Sequence, residues 1–228
     1  MNKIRLIVSF ICIIFVSGSC NHFQQENGIT SGTLEYNITY LNNDISDKEA
    51  SLLPKTMKLV FNKEESVNYI DGFLGLYKLN TLVNFTSRRC VTLLKVFDKQ
   101  YAYHGKKDEF MCCFDAMEDM EIAEANDTRI IAGLQCKHAI VRLPSRNETF
   151  DIYYTNEIDL QHPNANNPYK HIDGVLMKFE LQLLHLRMDF TADNFQPGDD
   201  NGSRLKVPNS AVDISRDQMT QILNKLLE

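Results

Sequence analysis

The chain has 228 residues, 43% of them hydrophobic and 24% charged, with a formal net charge of −6. That is the composition of an ordinary globular domain and excludes the disordered and fibrous classes. With 24 Lys and Arg against 30 Asp and Glu, and no basic run, the electrostatic footprint of a nucleic-acid binder is missing.

Residues 1–19 read as a processing signal. Lys3 and Arg5 precede an apolar run over residues 6–16, and Ser17, Gly18 and Ser19 follow it, directly ahead of Cys20. This order is a charged n-region, an apolar h-region and a small-residue cleavage zone. The apolar run is well short of the ~20 residues that a spanning helix needs, so no transmembrane helix is expected in the mature chain. Cys20 after Ser17-Gly18-Ser19 resembles the lipobox of bacterial lipoproteins, in which the Cys becomes the new N-terminus and carries acyl chains. A plain secretory signal is the alternative. The resemblance implies lipid attachment at Cys20 and the membrane as a partner, with each buried methylene contributing ~0.8 kcal/mol to the anchor. Asn21 resembles the outer-membrane sorting class, which implies an outer-membrane lipoprotein of a Gram-negative envelope, with the periplasmic side favoured. Loss of Lys3 and Arg5 leaves 22 basic against 30 acidic residues, a net charge of −8. Residues 20–31 are polar and unpatterned and read as a tether, and residues 32–228 as a single domain.

Within that domain Leu34, Tyr36, Ile38 and Tyr40 alternate with Glu35, Asn37 and Thr39, which predicts a strand with one buried face. Ser46-Asp47-Lys48-Glu49 is a capping box ahead of Ala50, Leu52 and Leu53, and Pro54 stops that short helix. Alternation recurs at Met57, Leu59 and Phe61 and then at Val67 and Tyr69. Residues 91–97, 100–104, 119–125, 128–131 and 134–143 are less regular strand candidates, and 108–120 is a weak helix candidate. Phe150, Ile152 and Tyr154 mark a further strand, followed by a loop at 164–168. Val175, Met177, Phe179 and Leu181 mark the next. Leu184, Leu186, Met188 and Phe190 then face one way while His185, Arg187 and Asp189 face the other, up to a loop at 196–203. Ser215 to Gln218 is a second capping box, followed by Met219, Ile222, Leu223, Leu226 and Leu227, the stripe of an amphipathic helix. The expected architecture is mainly β with few helices, an α+β chain of about ten strands in a large antiparallel sheet ending in a C-terminal helix.

The chemistry-bearing residues do not converge on a catalytic motif. His22, His104, His138, His162, His171 and His185 are scattered, and no H-E-x-x-H, G-x-S-x-G or Gly-rich phosphate loop is present. No enzyme activity, metal or cofactor is expected. His162 and His171 flank the loop and could meet with Asp173, but solvated loop histidines are the plainer reading. Cys90, Cys112, Cys113 and Cys136 are disulfide candidates, with Cys112 and Cys113 pairing across to Cys90 and Cys136 because a bond between neighbours strains its ring. Buried free thiols are the alternative. A zinc site of Cys112, Cys113, Cys136 and His138 lacks C-x₂-C spacing.

A sheet this large exposes more apolar area than the helices can cover, so it must curl or pack on itself. A curled sheet with a helix in its mouth encloses a cavity suited to an apolar ligand. On patterning alone, the same side chains filling a solid core is the plainer reading. Several segments bear on that choice: Gly32-Thr33-Leu34-Glu35-Tyr36, Ile131-Ala132-Gly133-Leu134-Gln135-Cys136-Lys137-His138-Ala139, Ile152-Tyr153-Tyr154-Thr155-Asn156-Glu157-Ile158, Ile172-Asp173-Gly174-Val175-Leu176 and Leu205-Lys206-Val207-Pro208. Together, over residues 32–227, they resemble a family of Gram-negative envelope lipoproteins related to the GLPGLI group and similar in fold to the carriers LolA and LolB. The resemblance implies a LolA-like half-barrel with a helical plug and no defined activity. The leading expectation is an apolar ligand, an acyl chain or lipid, on the concave face against Tyr36, Ile38, Tyr40, Leu59, Phe61, Phe179 and Phe190. The alternative is a filled core and a non-enzymatic scaffold that meets an envelope protein through an edge strand or apolar patch.

Overall fold

A computed structural model describes residues 28–42, 45–198 and 206–227. The signal, Cys20, most of the tether and part of the 196–203 loop lie outside the described residues. The strands are β1 (Gly32–Tyr40), β2 (Thr56–Phe61), β3 (Glu65–Asp71), β4 (Tyr77–Asn84), β5 (Arg89–Val96), β6 (Lys99–His104), β7 (Glu121–Ile131), β8 (Leu134–Leu143), β9 (Glu148–Thr155), β10 (Val175–Leu183), β11 (Leu186–Pro197) and β12 (Val212–Asp213), with helices α1 (Asp47–Ala50) and α2 (Arg216–Leu227). All twelve strands form one open, curved sheet in the order β12-β6-β5-β4-β3-β2-β1-β11-β10-β9-β8-β7. The ladders are antiparallel except for β12, which runs parallel to β6.

Both capping boxes close as read. At α1, Glu49 N–H donates to Ser46 Oγ at 3.3 Å and Ser46 N–H to the Glu49 carboxylate at 2.9 Å. At α2, Gln218 N–H donates to Ser215 Oγ at 3.2 Å and Ser215 N–H to Gln218 Oε1 at 2.9 Å. Each box satisfies donors that a bare helix start leaves orphaned. Met219 and Leu223 are buried, with Ile222, Leu226 and Leu227 packed beside them, so the predicted stripe faces the core.

Chain order makes the curved sheet a covered one. From the centre, β1 to β6 step outward to one flank, and β7 to β11 step back inward from the opposite edge. The β6–β7 connection must therefore cross the concave face. It is held on the way: Met111 N–H donates to Asn166 O at 2.9 Å, Leu184 N–H to Cys113 O at 3.1 Å and Asp115 N–H to Gln182 O at 2.9 Å, and Phe114 bridges Leu183. This corrects the helix expected at 108–120. A 13-residue helix reaches only about 20 Å, whereas extended chain of that length spans more than twice as far, and crossing the sheet requires the longer reach.

The strand phase needs one correction. Register places Ser66 opposite Phe61 and Asn68 opposite Leu59, and cross-strand partners share a face. In β3, Ser66, Asn68 and Ile70 therefore face inward, while Val67 and Tyr69 lie on the convex side with Val60 and Lys58. The cause is the tight turn after Phe61, where Asn62 Oδ1 accepts from Glu64 N–H at 2.8 Å and Glu65 N–H at 3.0 Å and so sets the register of the hairpin.

The cysteines need another. Cys90, Cys112, Cys113 and Cys136 are all free thiols. Cys90 sits in a satellite cluster with Val83 and Phe85. Cys136 is closed inside β8, where its S–H donates to Leu134 O at 3.4 Å. Cys112 and Cys113 lie under α2, Cys113 Sγ being 3.4 Å from Thr220 Oγ1. These separate surroundings keep the expected partners apart. The only sulfur pair among them in contact is Cys112 and Cys113 at 2.9 Å, the neighbours whose ring would be strained. The denatured, non-reduced mass is expected to equal that of the fully reduced chain, and a deficit of two hydrogens would reveal a bond.

Candidate functional site

Between the concave face and its covering segments lies a cavity of about 80 Å³. Its floor comes from alternate residues of six strands: Tyr36 of β1, Met57 and Leu59 of β2, Ser66, Asn68 and Ile70 of β3, Leu79, Thr81 and Val83 of β4, Phe179 and Leu181 of β10, and Phe190 of β11. Its roof is Met111 and Phe114 from the crossing segment, with Leu160, Pro163, Asn164 and Asn166 from the β9–β10 loop. The volume is several times the roughly 10–15 Å³ that admits one water, so the sheet is mostly filled but not solid. It is about half the roughly 150 Å³ that holds a benzene ring, room for a few methylenes of a chain.

One wall is a packed aromatic cluster. Phe179 stacks on Phe190 at 5.1 Å between centroids and meets Tyr36 edge-on at 5.8 Å and Tyr169 at 6.1 Å. Tyr36 O–H donates to Leu176 O at 2.8 Å, reaching from β1 to β10 inside the curve. Burial pushes the Tyr36 phenol far above its ordinary pKa, so it stays a neutral donor.

Of the residues expected to line a ligand site, Tyr36, Leu59, Phe179 and Phe190 stand on the cavity wall. Ile38, Tyr40 and Phe61 do not. Tyr40 O–H donates to Pro54 O at 2.8 Å, Phe61 stacks on Phe195 at 6.4 Å, and Ile38 is buried in the core beyond the cavity. Sequence reading missed β4 altogether, although Tyr77, Leu79, Thr81 and Val83 alternate legibly with Lys78, Asn80, Leu82 and Asn84. It also missed the inward polar row of Asn68, Thr81 and Thr92, which register places side by side across β3, β4 and β5. No sequence signal marks Asn164 or Asn166.

Asn164 and Asn166, buried to 3% and 2% exposure, fix the roof. Asn164 Nδ2 donates to Ile172 O at 2.9 Å and Gly174 O at 2.8 Å, and its Oδ1 accepts from Asn167 Nδ2 at 3.0 Å. Asn166 Nδ2 donates to Arg88 O at 3.1 Å and Glu109 O at 2.7 Å. Arg216 ties α2 to the same segment through Glu109 at 2.9 Å, Phe110 O at 3.1 Å and Met111 O at 3.3 Å.

His162 and His171 do come together on an outer hollow of this loop, with Lys170, Phe110, Arg88 and Asp108. Asp173 is not part of it, and Arg88 is paired to Asp108 at 3.0 Å. His138 lies elsewhere, on β8. Its Nδ1 is 2.6 Å from Asp127 and its Nε2 2.9 Å from Asp151, and its ring stacks on Tyr153 at 4.7 Å. The hydrogen bond to Asp127 raises its pKa above the usual histidine value, aided by Asp151 and opposed by desolvation, while the same bond lowers that of Asp127. A raised folded-state pKa stabilises fully below the unfolded value near 6.5 and is lost as pH rises through the folded value. For Asp127 the contribution is present above about 3.9 and lost as pH falls below it. Stability is therefore expected to decline as pH rises above the unfolded value near 6.5, in a component that His138→Gln removes, as read by urea denaturation against pH.

No protein-family model matches the chain, and no curated protein matches it. Among solved structures, a beta-barrel-like protein of the domain of unknown function DUF1849 from Brucella abortus is similar over 75% of this chain and 99% of its own, with 9% identity and a TM-score of 0.27. The likeness to the GLPGLI group and to LolA and LolB stands on the sequence motifs alone.

Proposed function

We propose that this chain is a lipid-anchored protein of the Gram-negative outer membrane that holds one slim apolar chain, an acyl chain or a comparable lipid segment, between its concave sheet and the roof above it. The carrying observation is the cavity itself: an apolar slot beside the Tyr36, Phe179 and Phe190 cluster, covered by two irregular segments and not by sheet. Segments of that kind open at lower free-energy cost than ladders do, which gives a ligand a way in. Acylation of Cys20 would keep the domain next to its lipid source. The test is native against denatured mass spectrometry of the chain from Asn21 onward, which retains every strand and helix described. An extra mass of lipid size in the native spectrum alone is expected, and a bare mass after exposure to lipid extract would overturn the reading.

A second reading, a docking module without cargo, is favoured by one feature. Phe73, Leu74, Leu76 and Phe97 are 42%, 85%, 46% and 68% exposed, and Phe97 N–H donates to Leu76 O at 3.1 Å, so they form one apolar tip. Edge-strand addition is less suited to the role. The β7 edge is irregular between Glu124 and Thr128 and carries Glu121, Glu124, Asp127 and Arg129, devices that block strand pairing. Under this reading Leu74→Asp with Phe97→Asp abolishes partner binding, and the native mass is bare.

A further inference from the structure

The crossing segment bends sharply beneath α2. Phe114 N–H donates to Met111 O at 3.4 Å, which closes a four-residue turn with Cys112 and Cys113 at its two corners. Cys113 has a φ of 70°, the left-handed conformation that the second corner of a type II turn requires and that Gly or Asn adopts at least cost. A cysteine there strains the backbone, and strain of this kind clusters at functional sites. Its consequence is geometric. Neighbouring side chains on extended backbone point to opposite sides, whereas Cys112 Sγ and Cys113 Sγ lie 2.9 Å apart. The turn is held from both directions: Leu184 N–H donates to Cys113 O at 3.1 Å, and Cys113 Sγ is 3.4 Å from Thr220 Oγ1 of α2. The hydrogen bond with Cys112 lowers the pKa of Cys113, aided by Thr220 and the Arg216 guanidinium and opposed by burial, so Cys113 is the better nucleophile of the two.

The peptide between them is trans, which sets their Cα atoms about 3.8 Å apart, below the roughly 4.4–6.8 Å of ordinary disulfides. A bond between these sulfurs is therefore strained and easily reduced, and such bonds are the labile, exchanging ones and not the structural ones. We propose that Cys112 and Cys113 form a reversible thiol–disulfide exchange site that takes a small-molecule disulfide as its oxidant. The Cys113 thiolate attacks one sulfur of the disulfide R–S–S–R. A Cys113–S–S–R bond forms as the old S–S bond breaks, and the departing RS⁻ takes up the proton that Cys113 gave up. Cys112, deprotonated in turn, attacks the Cys113 sulfur and expels the second RS⁻, which takes the Cys112 proton. The pair loses two electrons and two protons, and R–S–S–R becomes two molecules of RSH. An excess of RSH runs both steps backwards. Cys112 and Cys113 are 1% and 8% exposed, so exchange proceeds when α2 lifts, an opening short of global unfolding.

The test uses the reduced chain from Asn21 onward, whose only thiols are these two, Cys90 and Cys136. It is incubated folded with oxidised glutathione, then denatured in iodoacetamide and mapped by peptide mass. The peptide carrying Cys112 and Cys113 is expected to lose two hydrogens and to hold neither glutathione nor alkyl label, while Cys90 and Cys136 are alkylated. Dithiothreitol is expected to restore the two hydrogens. In Cys112→Ser the same peptide is expected to keep one glutathione on Cys113, because no neighbouring thiol expels it. Glutathione that persists on Cys113 in the parent, or glutathione on all four thiols alike, would overturn the proposal. So would full alkylation of both thiols under conditions that oxidise the urea-unfolded chain, and these readings of the parent decide the matter even if the variant does not fold.

Discussion

Phe190→Ala is expected to destabilise the protein by about 3–5 kcal/mol, the range for deleting a large buried aromatic side chain. Phe190 is 0% exposed and packs against Phe179 at 5.1 Å with ring planes 9° apart. Its vacated volume cannot easily close. Phe179 is held between Tyr36 and Tyr169, and Tyr36 is tied to Leu176 O, so the neighbours have little freedom to move inward. The new space adjoins an existing cavity and is added to it, which places the cost toward the upper part of the range. Urea denaturation checks the value, and an unchanged m-value would assign the loss to the native core and not to a changed denatured state. A loss under about 1 kcal/mol would mean that the concave face collapses freely, and a cavity that soft would have no defined shape for a ligand. The enlarged cavity of the variant is also expected to admit bulkier hydrocarbons than the parent.

How far the sequence predicts this structure depends on which interactions set each part. The Ser46 and Ser215 boxes are local, and both helices start where those residues put them. The buried faces of β1, β10 and β11 follow from alternation, because one face of each meets the core and the other carries polar side chains. Alternation fails in β3, where Ser66 and Asn68 face inward. There the turn at Asn62 fixes the phase, and the two polar side chains belong to the cavity, a place where local pattern and fold are expected to disagree. The crossing segment misleads for a different reason. Its helical composition is overridden by a topological demand, the span from β6 to β7, that no window of neighbouring residues contains. The site is half legible by the same logic. Tyr36, Leu59, Phe179 and Phe190 are apolar strand residues on inward phases, whereas Asn164 and Asn166 reach the roof through contacts such as that of Asn166 with Arg88, 78 residues away in sequence.

Leu223→Ala is expected to cost about 2–5 kcal/mol, and the form of the loss distinguishes two views of α2. Leu223 is 1% exposed and Met219 0%, so these two side chains are the most deeply buried part of the hydrophobic attachment of the helix. The other attachment is at its N-terminus, where Arg216 bonds Glu109, Phe110 O and Met111 O and Ser215 closes its box with Gln218. Losing the Leu223 contact weakens the hydrophobic attachment, and the helix then detaches as a whole more readily while the sheet stays folded, a local opening that costs less than global unfolding. Beneath it lie Cys112 and Cys113. The hydrogen bond with Cys112 lowers the pKa of Cys113, whereas burial raises Cys90 and Cys136 to about 11. Cys113 is thus the thiol readied to react once uncovered. In the variant, alkylation of Cys113 is expected to accelerate well beyond that of Cys90 and Cys136, as mapped by peptide mass after brief iodoacetamide exposure. If all four thiols accelerate together, α2 does not open separately, and helix and sheet form one cooperative unit in which Leu223 supports the roof as directly as Phe190 supports the floor.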